Sequence, residues 1–146
     1  MPFSLPADSR VLVTGGAGFI GSSVVRRLLH QTEVQVFNLD KIGYASDLTS
    51  IGDHPRHHLL RVDLTSAEAT EEAVRTANPD LVMHLAAESH VDRSIDGPGI
   101  FVESNILGTF HLLQSVRRHW EDLSQQRSER FRFHHISTDE VFGSLG

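Results

Sequence analysis

The stretch Arg10–Leu29, RVLVTGGAGFIGSSVVRRLL, joins two kinds of pattern across a glycine-rich turn. Its first residues, Arg10–Thr14, form a short apolar run that predicts a buried strand. From about Phe19 to His30 the period changes to that of a helix. Ile20, Val24, Val25, Leu28 and Leu29 share one face, and Arg26, Arg27 and His30 fall elsewhere. Between strand and helix stand Gly15, Gly18 and Gly21, evenly spaced. In that setting one glycine permits the tight turn, another lets backbone amides approach a pyrophosphate, and the third lets helix pack close to strand. The helix N-terminus adds partial positive charge. A tight turn without a ligand is the competing reading, and the strand–glycine–helix context favours a dinucleotide site.

Working outward, apolar runs at about Val34–Leu39, His58–Val62, Leu81–Leu85 and Phe131–Ser137 predict four further strands. Helical patterns lie between them, near Ala67–Ala77 and from Pro98 toward Trp120. The second helix is expected to end before Pro79, which cannot continue it. The third carries Phe101, Leu107, Phe110 and Leu113 at roughly helical spacing. The polar run EDLSQQRSER, Glu121–Arg130, reads as a solvated connection. Strands alternating with helices predict an α/β fold, a doubly wound parallel sheet of the Rossmann type, with residues 1–146 forming one domain.

Composition narrows the partners. The chain has no cysteine, which excludes disulfides, and its opening MPFSLPADSR has neither the basic start nor the apolar run of a secretory signal. A cytoplasmic protein is expected. No apolar stretch approaches the ~20 residues of a membrane helix. The 19 acidic residues outnumber the 13 basic ones, which argues against nucleic acid and for small-molecule partners. Lys41 is the only lysine and Tyr44 the only tyrosine.

Candidate site residues follow from strand ends, where ligands bind in such sheets. Asp40 closes the second strand, placed to accept hydrogen bonds from an adenosine ribose. Its charge would repel a 2′-phosphate, which favours NAD over NADP, although Lys41 beside it weakens the repulsion. Asp63-Leu64 follows the third strand, where a carboxylate could meet an adenine amino group; Asp63 or Thr65 could equally cap the next helix. Ala86 and Ala87 after the fourth strand are small enough to admit a cofactor beside the backbone. After the fifth strand comes STDEV, Ser137–Val141. One reading is a capping box, with Ser137 as N-cap and Glu140 three residues on. The other is catalytic: Asp139 and Glu140 would face the reactive end of the cofactor, provided the chain bends after Ser137. Two carboxylates in a partly dry cleft divide into an acid and a base.

Four segments, TGGAGFIG, LAAESHVDRS, ESNILGT and HISTDEVFG, in this order and at these separations, resemble the dTDP-glucose 4,6-dehydratase family of extended short-chain dehydrogenases. The resemblance covers nearly the whole chain. It implies tightly bound NAD and conversion of dTDP-glucose to dTDP-4-keto-6-deoxyglucose. In that cycle hydride leaves sugar C4 for the cofactor, Glu140 takes the C5 proton, Asp139 protonates the departing C6 hydroxyl, and the hydride returns to C6. Thr138 would hydrogen-bond the C4 oxygen. A C4 ketone acidifies C5–H, and hydroxide leaves only when an acid protonates it. The resemblance further assigns Ser89 to the substrate. It assigns Phe19, Ile20, Asp40, Lys41, Ile42, Gly43, Asp63, Leu64, Leu85, Ala86, Ala87 and Ser104 to the cofactor, beside Gly15, Gly18 and Gly21. Glu88 lies in the same run.

The sequence departs from the family in two places. Val141-Phe142-Gly143 stands where the family usually reads Val-Tyr-Gly. The family's Tyr-x-x-x-Lys pair belongs beyond STDEV, and Tyr44 and Lys41 occur in reversed order in another loop. The expectation is an amino-terminal portion, truncated before the substrate domain and inactive alone, of an enzyme that is a homodimer in full-length form. Two other readings stay open: a catalytically silent NAD-binding module, and a relative such as a UDP-sugar 4,6-dehydratase or 4-epimerase. Ten histidines include the pairs His57-His58 and His134-His135. Neighbours on a strand face opposite sides, so no metal site is expected. His90 and Arg93 could stand near the sugar-nucleotide entrance or be plain surface residues.

Overall fold

The computed structural model describes residues 5–89, 95 and 97–143, apart from the Glu140 side chain. Five strands, β1 (Arg10–Thr14), β2 (Gln35–Asp40), β3 (His57–Arg61), β4 (Leu81–His84) and β5 (Arg132–His135), form one sheet in the order β3-β2-β1-β4-β5. Every pairing is parallel, with Val11 opposite Val36 on one side and Leu81 on the other. The order reverses at β1, so a crevice opens between β1 and β4 at their carboxyl ends.

Alternation along β1 and β2 divides the core between two faces. Leu12, Phe37 and Leu39 join Val82 under helices α2 (Ala67–Ala77) and α4 (Thr109–Glu121), where Ala73, Val74, Leu112 and Val116 are buried. Val11, Val13 and Val36 point the other way and pack with Val25 and Leu29 of helix α1 (Phe19–Gln31). Helices on both faces establish the doubly wound arrangement. The expected stripe on α1 needs one change. Ile20 is exposed, and Gly21 and Ser22 take its place among the buried residues, because the start of this helix faces the crevice and not the sheet.

Local chemistry explains the boundaries. The Ser66 hydroxyl accepts the Ala69 N–H at 3.3 Å and starts α2. Neither Asp63 nor Thr65 is the cap; Asp63 Oδ1 instead accepts both the N–H and the hydroxyl of Thr65. Helix α2 ends on Asn78 in a left-handed conformation just before Pro79. The Arg10 guanidinium donates to its terminal carbonyls, Thr76 O and Ala77 O, and lies 4.3 Å over the Phe37 ring.

The third helical region is one rod in three parts: α3 (Pro98–Phe101), a π-helical segment Val102–Gly108, and α4. The π segment rotates the helical phase, and the buried stripe becomes Gly108, Leu112, Ser115 and Val116. Leu107, Phe110 and Leu113 of the expected series project outward instead, and Phe101 is half-buried. The expected solvated connection is exposed, and it includes a helix. Ser124 caps this helix, α5 (Gln125–Arg130), and the Trp120 indole donates to Ser128 O. Among the described residues, no helix is long and apolar enough to cross a membrane.

Candidate functional site

The glycine turn begins where β1 ends. Gly15 adopts φ +69°, donates its N–H to Leu39 O at 2.8 Å, and accepts from Gly18 N–H. A side chain at Gly15 would meet Ala86 Cα at 2.7 Å, so the turn lies directly against the segment after β4. At Gly21 a Cβ would stand 2.0 Å from Gly15 O, which is the close helix approach the spacing implied. Gly18 precedes α1 with no side-chain cap, leaving amides free at the crevice. Phe19 and Ile20 stand beside them, 92% and 63% exposed, an unusual position for large apolar side chains.

Asp40 is buried and organises the neighbouring loop. Its Oδ2 accepts from Ala17 N–H of the glycine turn, and its Oδ1 accepts from Ile42 N–H and the Ser46 hydroxyl. Ile42 is held at φ +56°, a costly conformation for a β-branched residue, and Gly43 beside it is exposed. The Lys41 ammonium donates to Glu88 Oε1 at 2.5 Å. Lys41 follows β2 and Glu88 lies beyond β4, so the pair spans the carboxyl end of β1. Burial pulls the Lys41 pKa down, but the Glu88 hydrogen bond and charge, helped by Asp63 and Asp40, hold it above the ordinary lysine value.

Other expected residues are placed less uniformly. Asp63 is exposed at the end of the strand that precedes α2. Leu64 is buried in the core, and its carbonyl accepts from His111 Nδ1, leaving no free side-chain face for a ligand. Leu85 and Ala86 are half-buried, Ala87 and Ser89 exposed, and Ser104 lies half-buried in the π segment. After β5 the chain does turn: Asp139–Phe142 form a 3-10 turn, which puts Thr138 and not Ser137 in the capping position. Thr138 and Asp139 are exposed at the same sheet edge as the glycine turn. His90 and Arg93 lie outside the described residues, as does the Glu140 side chain. Among the described residues, no group of three or more His, Asp or Glu could hold a metal.

Sequence reasoning missed Thr14, His84, Asn105 and Thr109. Asn105 holds the backbone of Glu88 from both sides, accepting its N–H at 2.8 Å and donating to its carbonyl at 2.9 Å. His84 bridges Thr14 and Thr109. A histidine at the end of an apolar strand was the available signal for that link.

A glycine turn and an uncapped helix start at the switch point of a doubly wound parallel sheet define a Rossmann-type domain. Within that class the chain belongs to the GDP-mannose 4,6 dehydratase family, whose model matches residues 12–146. It is 50% identical over 140 residues to the dTDP-glucose 4,6-dehydratase of Neisseria meningitidis serogroup B, covering 94% of this chain and 39% of that protein. Among solved structures it resembles DesIV, the dTDP-glucose 4,6-dehydratase of Streptomyces venezuelae with NAD and TYD bound. The TM-score is 0.78 at 39% identity, over 94% of this chain and 42% of the other. The UDP-glucose 4-epimerase of Thermus thermophilus, in complex with NAD, matches with a TM-score of 0.68 at 38% identity, over 75% and 34% of the two chains. The chain thus spans about two fifths of the length of its curated relatives.

Proposed function

We propose that these 146 residues are the cofactor-binding portion of an NAD-dependent enzyme that dehydrates dTDP-glucose to dTDP-4-keto-6-deoxyglucose. The observation that carries this reading is the gathering of the glycine turn, Asp40, Ala86–Ala87 and Thr138–Asp139 at one sheet edge. Support comes from the relative of that name, half identical over 94% of the chain.

The residues present fit NAD. The first amides of α1 have no side-chain partner, and Asp40 Oδ2 accepts a single hydrogen bond and can take another from a ribose hydroxyl. Gly15, Gly18, Phe19, Ile20, Gly21, Asp40, Lys41, Ile42, Gly43, Asp63, Leu85, Ala86, Ala87 and Ser104 would hold it, with Leu64 contributing through its backbone. When bound, NAD supplies a reversible hydride acceptor. Thr138 would hydrogen-bond the sugar C4 oxygen, Glu140 would take the C5 proton, Asp139 would protonate the leaving C6 hydroxyl, and Ser89 would hold the substrate. We also propose a homodimer joined along the Pro98–Glu121 rod. Its support is the row of exposed apolar residues Ile100, Val102, Ile106, Phe110 and Leu113.

The test is an intact mass of the natural gene product, followed by NAD and NADP titrations and a panel of dTDP-, UDP- and GDP-hexoses. NAD binding is expected, with keto-sugar formed from dTDP-glucose by the gene product and none by the 146-residue chain alone. Turnover of another nucleotide sugar in its place would overturn the substrate. Binding of NAD with no response to any sugar nucleotide would favour the silent module.

A further inference from the structure

The start of the segment after β4 is fixed by a relay of four hydrogen bonds. Leu85 N–H and Ala86 N–H both donate to Thr14 Oγ1, each at 3.2 Å. Thr14 Oγ1 lies 2.6 Å from His84 Nδ1, and His84 Nε2 lies 3.0 Å from Thr109 Oγ1. The direction of the relay follows from counting protons. A hydroxyl has one hydrogen and two lone pairs. Ala86 N–H takes one lone pair of Thr14 Oγ1, and Leu85 N–H is shared between Oγ1 and the Thr14 carbonyl, each at 3.2 Å. Among the described residues His84 Nδ1 is the acceptor within reach of the Thr14 hydroxyl hydrogen, which therefore points at it. Nδ1 is therefore an acceptor, the ring proton sits on Nε2, and it is donated to Thr109.

The relay has a geometric consequence. Thr14 is the residue before the glycine turn, and Ala86 is the residue against which Gly15 packs. Thr109 begins α4 directly after the π segment, from which Asn105 holds Glu88. Both ends of Leu85–Glu88 are thus tied, one through the imidazole and one through the amide. Phe133 and His135 of β5 pack beside the His84 ring, with centroids 6.3 and 5.2 Å away.

We infer that His84 is a positioning residue, a neutral imidazole locked as the Nε2–H tautomer between Thr14 and Thr109. It holds Leu85–Glu88 against the glycine turn and so sets the width of the crevice that receives the dinucleotide. The last clause rests on the proposed NAD site; the lock itself does not. Protonation would give both ring nitrogens a hydrogen and leave Thr14 without an acceptor for its own. Burial, and secondarily the neighbouring His135, hold the ring neutral, with its pKa lowered to about 4.

The experiment uses the 146-residue chain labelled with 15N-histidine. Long-range proton–nitrogen correlation should show one ring with bare Nδ1 and protonated Nε2, unchanged from about pH 8 to about pH 5. Thr109→Val removes the acceptor for Nε2–H while keeping the side-chain shape. It should weaken NAD binding about tenfold and lower the exchange protection of the Leu85 and Ala86 amides. Thr109→Ser should restore both. A proton on Nδ1, or a folded Thr109→Val chain with wild-type NAD affinity and protection, would overturn the inference. A wild-type chain that binds no NAD would overturn the dinucleotide reading, and tautomer and amide protection would still decide the lock.

Discussion

Gly15 and Gly52 offer a matched pair for measuring how tightly the glycine turn abuts the segment after β4. Their φ angles are nearly equal, +69° and +72°, so an alanine at either position carries the same backbone penalty, roughly 1–2 kcal/mol. At Gly52 an added Cβ has nothing within 4 Å, and that penalty is the whole expected loss. At Gly15 it would meet Ala86 Cα at 2.7 Å, Ala86 N at 2.8 Å and Leu85 C at 3.1 Å. All three are backbone atoms, and Leu85 and Ala86 are tied to Thr14. Overpacking of this kind adds about 1–3 kcal/mol. Gly15→Ala should therefore lose about 2–5 kcal/mol against about 1–2 for Gly52→Ala, and the difference isolates the contact. Urea titrations of the three chains at neutral pH, followed by circular dichroism with unchanged m values, give that difference directly. Equal losses in the two variants would refute the packing of the turn against Ala86.

Three further outcomes are expected. Because Lys41 is the only lysine, reductive methylation with 13C gives one side-chain signal to titrate; its pKa should lie above 10.5, and Glu88→Gln should bring it down. The sign follows from the raised pKa: the pair's contribution is complete below the ordinary lysine value and is lost as pH climbs through the folded one. For His84 the sign is opposite. The unfolded chain takes up a proton near the ordinary value of 6.5, the folded one near 4, so stability is complete above pH 6.5 and falls by about 3 kcal/mol toward pH 4. Burial lowers the His57 pKa and acts in the same direction. Urea midpoints in that window should drop less for His84→Gln than for wild type, and equal drops would discount the role of His84. Leu112→Ala empties a fully buried site beneath the sheet and should lose about 2–5 kcal/mol by the same titration.

The architecture is legible where periodicity has one cause. Arg10–Thr14 and Ala67–Ala77 occur as read, because an apolar run in one case and a capped amphipathic pattern in the other leave no competing arrangement. The Pro98–Trp120 helix is legible in extent but not in facing. The π segment shifts its phase, and a single helical period laid across it names the outward residues. The polar run before β5 reads as a solvated connection, and it is exposed, but the helix within it is not legible; burial and helicity are separate properties, and Ser124 supplies a cap that composition alone does not weigh. At the site, the glycines and Asp40 are legible because their roles depend on backbone spacing. The burial of the Leu64 side chain is not legible, because its motif position says nothing of the core behind it. Thr14, His84 and Thr109 are not legible together, since a relay linking residues so far apart exists only once the sheet has brought β1, β4 and α4 side by side.

The order of the strands also fixes a timetable. β1 is the central strand and the first of the five to be made. One of its edges is filled by β2, which follows after a single helix, but the other waits for β4, seventy residues further along the chain. While a ribosome is still adding those residues, the half-sheet β3-β2-β1 carries an open edge at Val11 and Val13, with the apolar surface that α4 will later cover. Parallel pairing over such a separation is slow, and an open apolar edge recruits strands from neighbouring chains. Aggregation during synthesis is thus governed by the arrival of Leu81–His84, and slower translation before that point lengthens the exposure.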